Sequence, residues 1–386
     1  MNRDQLLETL EKHSIPCFKK DLKDGGTLVI ARRGARVLGL FPQGEGSSPT
    51  LLWIHPHIEA ILAGSLTDWE GDGSGGMGGD RLWVSPEQNY YYENSAGFDG
   101  WMCQFQMDPG KYEEVEAREG EVRYRNRFDL RDGLRCTTLK DVTLERTLWV
   151  LENPLADRVA LKPLLARVGY VGVETREVLE LPDQEETPVL CPWGLAQVPS
   201  PAAGAGTVVV PTARRARPIG YFGEIPDDRI HVGEDQVCFK IDAQRVTKLG
   251  IQAEDINPEG PVRVGYISPL GRPSGSGPAA AMADPGVKWS LIVKESKDVA
   301  RSSDLALDPA KADPRGPRGV VQSYNNDVSI KAAFGEIEIQ YLPVEKDSDG
   351  MWRSTVSTRL MGYAGEKSDV VALAQEILGL EDIHLF

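Results

Sequence analysis

The sequence predicts an all-β protein, a large sandwich of many short strands. Three observations carry this prediction. Apolar and polar side chains alternate with a period of two in run after run from Thr27 to Leu342; helical stripes are nearly absent between residues 14 and 367; and the runs are separated by Gly, Pro, Asn and Asp at turn positions. So many runs within 386 residues call for a sheet system larger than an ordinary sandwich.

Residues 2–13 read as a helix, with Asn2 placed to cap it and Leu6, Leu7 and Leu10 on one stripe. From Gly26 the period becomes two, giving strands at 27–31 and 36–41 around the Arg33-Gly34 turn and a further strand at 51–54. Tyr90, Tyr91, Tyr92, Phe98, Trp101 and Phe105 form a dense aromatic cluster ending at the Asp108-Pro109-Gly110 turn, and they suit either core packing or ligand stacking. Residues 122–128 alternate, with Arg123, Arg125 and Arg127 on a solvated face opposite Tyr124 and Phe128. Strands follow at 142–151, 167–181, 207–210, 236–242, 248–252, 262–267, 288–293 and 334–342. Residues 269–286 and 302–319 are rich in Pro, Gly, Ala and Asp without periodicity and read as long loops. A helix at about 368–378 closes the chain, with Gly379 as its C-cap and Val370, Val371, Ala374 and Ile377 on its apolar side. The expected organisation is a helix and lead-in (1–22), one β domain (23–345) and a segment whose helix packs on it (346–386).

A formal charge of −15 repels phosphate backbones and anionic lipid, so neither nucleic acid nor a membrane surface is an expected partner. No run approaches the roughly 18 apolar residues of a spanning helix. Acidic residues at Asp4 and Glu8 stand where a signal peptide needs an apolar core, and five widely spaced cysteines fit free thiols, so a cytoplasmic location is expected. Nucleotide-binding glycine motifs are missing, and the Gly- and Ser-rich low-complexity stretch 271–277 is the nearest the chain comes to Gly-x-Ser-x-Gly without matching it, which argues against nucleotide-dependent and serine-hydrolase chemistry. His55 and His57 could share a metal with a third ligand, but Pro56 between them suits an ordinary strand end; no metal and no cofactor are expected.

Two stretches point to a ligand. Gly75-Gly76-Met77-Gly78-Gly79-Asp80-Arg81-Leu82-Trp83-Val84-Ser85-Pro86-Glu87 runs from a glycine loop into an extended segment with Arg81, Trp83 and Ser85 on one face. A planar cation, a flat ring and a hydroxyl on one surface suit a sugar; the alternative is a surface turn with a buried Trp and an Arg–Asp pair. In residues 334–343, alternation puts Phe334, Glu336, Glu338 and Gln340 on one face and Ile337, Ile339 and Tyr341 on the core side. The two carboxylates lie about 7 Å apart by strand rise, and repulsion with partial burial can raise one pKa into the range of a general base. The same spacing also describes an exposed acidic face.

Ile337-Glu338-Ile339-Gln340-Tyr341-Leu342-Pro343 resembles the Leu-Glu-x-Gln-x-x-Pro stretch of aldose 1-epimerases, the galactose mutarotases, whose Glu is the general base. Gly78-Gly79-Asp80-Arg81-Leu82-Trp83 with Pro86-Glu87, Pro192-Trp193-Gly194-Leu195-Ala196-Gln197-Val198, Phe239-Lys240-Ile241-Asp242 and Lys248-Leu249-Gly250 are similar to stretches in uncharacterised relatives of that superfamily. The matches run in one order across roughly residues 25–345. The resemblance implies a galactose mutarotase-like β-supersandwich with short terminal helices and a small-molecule carbohydrate as partner. It implies Glu338 as base and Asp80, Trp83, Glu87, Trp193, Gln197, Lys240 and Glu336 as sugar contacts. The family's histidine in His-x-Tyr-Phe-Asn has no counterpart at Cys191-Pro192-Trp193-Gly194, so the ring-opening acid is missing from its place, and Arg81, Lys248 or Lys240 is the substitute. The expected function is that of a sugar epimerase of the mutarotase type. The alternatives are a non-catalytic carbohydrate-binding protein and a sugar lyase or other sugar-modifying enzyme on the same sandwich.

Overall fold

The computed structural model describes residues 1–43, 48–64, 76–201, 204–270, 288–327 and 333–386. Within them the alternating runs pair into two large antiparallel sheets and a small hairpin. The first sheet has nine strands in the spatial order Cys17–Asp21, Thr27–Ala31, Arg36–Phe41, Asp80–Ser85, Cys191–Pro199, Phe334–Gln340, Val321–Asp327, Gln244–Ile251 and Ile219–Gly220. The second, eleven-stranded sheet runs from Ile230–Val232 through Gln236–Ile241, Gly206–Pro211, Val262–Pro269, Trp289–Ser296, Trp352–Gly365, Gly169–Leu181, Thr137–Val150 and Glu121–Asp132 to Glu113–Arg118, with Glu345–Lys346 paired beside Trp352–Gly365. The all-β expectation holds, with helices short and few.

The sheets pack face to face: Gly169–Leu181 lies on Thr27–Ala31, Arg36–Phe41 and Cys191–Pro199, and Val262–Pro269 lies on Phe334–Gln340. Leu82, Val84, Ala196, Ile337 and Ile339 of the first sheet join Leu144, Val173, Val264 and Leu291 of the second in one buried apolar cluster. An ionic network is set into that layer. Arg146 donates to Glu177 at 3.0–3.2 Å and to Asp80 at 2.9 Å, and Lys294 pairs with the other Asp80 oxygen. All four groups are at most 2 % exposed, so each charge depends on its partners for the solvation it has lost.

The first helix spans Arg3–Lys12, with Asn2 Oδ1 accepting the Gln5 N–H at 2.9 Å and Gln5 Oε1 accepting the Asn2 N–H at 3.1 Å. Its Leu6 and Leu10 pack on Val29, Ala31, Leu38 and Phe41. The last helix spans Lys367–Leu378 and stops at Gly379 in the left-handed region (φ 72°). Val370, Ala374 and Ile377 are buried, and the helix packs on Val262–Pro269 and Trp289–Ser296.

Two sequence expectations change. Residues 51–54 form no strand: Leu51, Leu52 and Trp53 are all buried, and the segment is held by separate backbone bonds from Leu51 to Leu40 and from Trp53 to Gln197, with Ile54 bridging Gly78. The segment 346–386 supplies more than a helix, because Trp352–Gly365 is a 14-residue strand inside the second sheet. Its inward positions include Ser354 and Thr358 beside Val356 and Leu360, which hides the apolar alternation; Thr358 Oγ1 donates to Glu295 O and accepts from Tyr341 Oη, each at 3.0 Å. The loop at 302–319 is irregular as expected, whereas Gly75, residues 271–277 and most of the 269–286 loop lie outside the described residues.

Candidate functional site

Register brings the two ligand-directed stretches together. Trp83 pairs with Trp193 and Arg81 with Leu195; on the next strand Leu195 pairs with Glu338 and Gln197 with Glu336; further on, Tyr324 pairs with Glu336 and Lys248 with Tyr324. Directly paired residues share a sheet face. One face of five adjacent strands therefore carries Arg81, Trp83, Trp193, Glu336, Glu338, Tyr324 and Lys248, turned away from the second sheet. The strand bearing Arg81 is entered through Gly78 and Gly79 at φ 97° and 82°, where a Cβ would collide with the carbonyls of Trp53 and Val37.

Over this face lies a cavity of about 270 Å³ lined by Arg81, Trp83, Glu87, Tyr92, Trp101, Trp193, Phe222, Lys248, Tyr324, Phe334 and Glu336. Its size is near the lower end of small-molecule pockets. Trp83 is central to one wall, with ring centroids 5.8 Å from Trp193, 6.2 Å from Trp101 and 4.9 Å from Tyr91. Tyr324 stands 6.0 Å from Phe334 and 6.2 Å from Phe222 on another. Trp83 is fixed from behind: its Nε1 donates to Asp108 Oδ2 at 2.6 Å, and Arg36 Nη2 donates to the same oxygen at 2.6 Å. Of the aromatic cluster 90–105, then, Tyr90 and Tyr91 are core and Tyr92 and Trp101 face the cavity.

The charged floor has two halves. Arg81 Nη2 donates to Glu336 Oε1 at 2.7 Å while the guanidinium lies 4.1 Å from the Trp83 ring centroid; Arg81 Nε and Nη1 are buried without a hydrogen-bond partner among the described residues. Lys248 Nζ stands 3.3 Å from Glu338 Oε2, 3.8 Å from Glu87 Oε2 and 4.7 Å from the Trp193 ring centroid. Glu338 is 0 % exposed and, among the described residues, neither oxygen accepts a hydrogen bond. Burial pushes its carboxyl up to about 8, against the pull of Lys248. Lys248 is held above its usual range: burial acts to lower it, and the carboxylates of Glu338, Glu87 and Asp308 together outweigh burial.

Asp308 gave no signal in the sequence, standing in the aperiodic loop at 302–319. It is buried, accepts the Glu87 backbone N–H and the Gln340 Nε2 at 3.1 Å, and burial raises its carboxyl to about 7. It thereby ties the loop to the short helix Glu87–Tyr90 that carries Glu87 into the cavity. Tyr324 and Phe222 were also missed, the first because no strand was read at 321–327 and the second because it lies in an irregular turn.

Other expected site residues lie elsewhere. Asp80 faces the opposite way from Arg81, into the ionic network between the sheets, as alternation demands of adjacent residues. Lys240 belongs to the second sheet, 3.8 Å from Asp242, and does not line the cavity. Gln197 is fully buried beside Glu336 in register, its side-chain amide without a hydrogen-bond partner among the described residues. Glu338 lies beneath the floor, behind Lys248. His55 Nδ1 accepts the His57 N–H at 2.9 Å, a local turn bond.

In structure the chain is similar to a candidate aldose 1-epimerase from Escherichia coli K12 (9 % identity, 90 % of this chain and 99 % of that one, TM-score 0.46). It is also similar to a Synechocystis sp. PCC 6803 protein (10 % identity, 92 % and 96 %, TM-score 0.45) and to a GalM/aldose epimerase homologue from C. elegans (12 % identity, 90 % and 98 %, TM-score 0.39). No curated protein matches it in sequence. Residues 57–259 match the family of unknown function DUF6786, a stretch that holds Arg81, Trp83, Glu87, Trp193 and Lys248 and ends before Glu336 and Glu338. Since that match spans more than half of the chain, the protein belongs to the DUF6786 family.

Proposed function

We propose that the protein binds a single sugar ring in the cavity over the first sheet and interconverts its anomers. The observation that supports this reading is the joint presence, in a cavity of about 270 Å³, of aromatic walls and of four acidic or basic side chains, Arg81, Glu87, Lys248 and Glu336. Aromatic faces cover the C–H faces of a sugar, and the charged groups meet its hydroxyls. Anomeric exchange needs a base for the O1 proton and a donor at the ring oxygen, each worth about 10²–10⁴-fold. Glu336, Glu87 and Lys248 all line the cavity and are the groups in reach of a bound ring for these two roles. Glu338, the base in the resemblance, acts in this scheme through Lys248, 3.3 Å away, whose position it helps to fix.

A second reading, a carbohydrate-binding protein without turnover, is favoured by the cover that Lys248 forms over Glu338. The two are separated by following anomer exchange, by polarimetry or NMR, for free sugars first shown to bind. The epimerase reading expects exchange above buffer, falling about 10²-fold or more in Glu336→Gln or Glu338→Gln. Exchange no faster than buffer for every bound sugar refutes it and leaves the binding protein.

A further inference from the structure

The cavity has more carboxyl groups around it than cations. Glu87 and Glu336 line it, and Glu338 and Asp308 stand immediately behind, while among the described residues the cations are Arg81 and Lys248 at the cavity and Arg318 near Asp308. Both cations at the cavity are already engaged: Arg81 with Glu336 at 2.7 Å, Lys248 with Glu338 at 3.3 Å and Glu87 at 3.8 Å. The carboxylates are not saturated. Glu336 is 8 % exposed and lines the cavity, yet only its Oε1 takes a hydrogen bond among the described residues; Glu338 is 0 % exposed and neither of its oxygens takes one. The walls carry the same sign, since ring faces attract cations, and Trp83 and Trp193 each already hold one at 4.1 and 4.7 Å.

Resting on the sugar-binding reading above, we infer that the preferred ligand is an amino sugar with a free, protonated amine, whose ammonium is received by Glu336 and Glu87 among the cavity's aromatic rings. A hydroxyl in the same place gives a neutral donor to a carboxylate, and an ammonium gives a charge-assisted bond of roughly twice the strength. A uronate or a sugar phosphate would instead set its anion against Glu336 and Glu87, while both lining cations already face carboxyl groups and the unpartnered Nε and Nη1 of Arg81 are buried. The free protein balances its own excess differently, by burial that keeps protons on Glu338 and Asp308 up to about pH 8 and 7. A ligand cation supplies the balance that those protons supply in its absence.

The test is a titration of the whole protein, followed by calorimetry and by the fluorescence of the tryptophans that line the cavity. The panel holds matched sets at pH 6.5: a hexose, its 2-amino-2-deoxy form, the N-acetylated form, the hexuronate and the hexose 6-phosphate, in the gluco, galacto and manno series. The expected result is that in one series the amine binds about tenfold or more tighter than both the hexose and the N-acetyl form, and that the two anionic forms bind weakest. Glu87→Gln and Glu336→Gln should each pull the amine-to-hexose affinity ratio toward one. Should Glu336→Gln fail to fold because Arg81 loses its partner, Glu87→Gln, at a side chain 20 % exposed, still reads the effect. Amine and hexose binding equally, an anionic form binding tighter, or an unchanged ratio in the folded variants each overturns this inference while leaving the sugar site intact. Binding of no carbohydrate in the panel overturns the sugar site itself.

Discussion

Lys248 Nζ stands 3.3 Å from Glu338 Oε2, so a side chain that faces the cavity is paired with a carboxyl that solvent does not reach. Two buried carboxyls, Glu338 at about 8 and Asp308 at about 7, then titrate far above the ordinary carboxylate range. A carboxyl raised in the folded state favours folding below its unfolded pKa, and that contribution is lost as pH rises through the folded value. Stability measured by urea denaturation should therefore fall between about pH 4.5 and 8 on account of these groups. Asp308→Asn should flatten that decline, and an unchanged slope would show that Asp308 is ionised throughout.

Removing Lys248 leaves Glu338 without a counter-ion. At pH 8.5 Lys248→Met should cost about 3–5 kcal/mol, the range for breaking a buried pair, and noticeably less at pH 6, where Glu338 can keep its proton. The double change Lys248→Met with Glu338→Gln should recover much of the loss at high pH. A cost independent of pH would contradict the pairing.

Asp108 joins Arg36 to the indole of Trp83 through two bonds of 2.6 Å. Asp108→Ala leaves the buried Arg36 guanidinium with the Gly78 carbonyl but no carboxylate and removes the acceptor of the Trp83 indole, and should destabilise the protein by about 3–5 kcal/mol, read as a lower urea midpoint at unchanged m. Trp83→Phe, which keeps the Arg36 pair, should cost less.

Asp80 separates core from site. Asp80→Asn should destabilise strongly by weakening its pairs with Lys294 and Arg146, while folded protein at low temperature should bind its sugar with wild-type affinity. A selective loss of affinity at full stability would move Asp80 into the binding surface.

Trp101 offers the cleanest test of the aromatic walls. It is 37 % exposed and its Nε1 donates to Glu87 Oε1 at 2.7 Å, so Trp101→Ala should fold normally and lose about three- to tenfold in sugar affinity, measured by calorimetry.

Most of the sheet system was legible, Glu121–Asp132 and Phe334–Gln340 from alternating polarity, and Thr27–Ala31 and Arg36–Phe41, buried throughout, as short apolar runs bounded by turn residues. The strand Trp352–Gly365 was hidden because hydrogen-bonded Ser354 and Thr358 sit on its inner face. Within the site, alternation correctly grouped Arg81 with Trp83 and Glu336 with Glu338, and the same rule applied to Asp80 would have sent it to the other face. What period cannot tell is depth: Glu336 and Glu338 share a face, yet one opens to the cavity and the other lies beneath Lys248. Asp308 depends on the path of an irregular loop, and no local pattern specifies such a path.

The position of Trp352–Gly365 bears on how the molecule is assembled. It fills the slot between Gly169–Leu181 and Trp289–Ser296, with thirteen residues paired to the first and eight to the second. During synthesis the two halves of the second sheet can form as separate ribbons, but each keeps an open edge until residue 365 has been made. Such edges recruit strands from other chains, and closing a slot between partners so distant in sequence is slow. A ribosome stalled, or a protease cutting, ahead of this strand would release a chain with much of its core formed and two adhesive edges exposed, so aggregation is the fate to look for in that product.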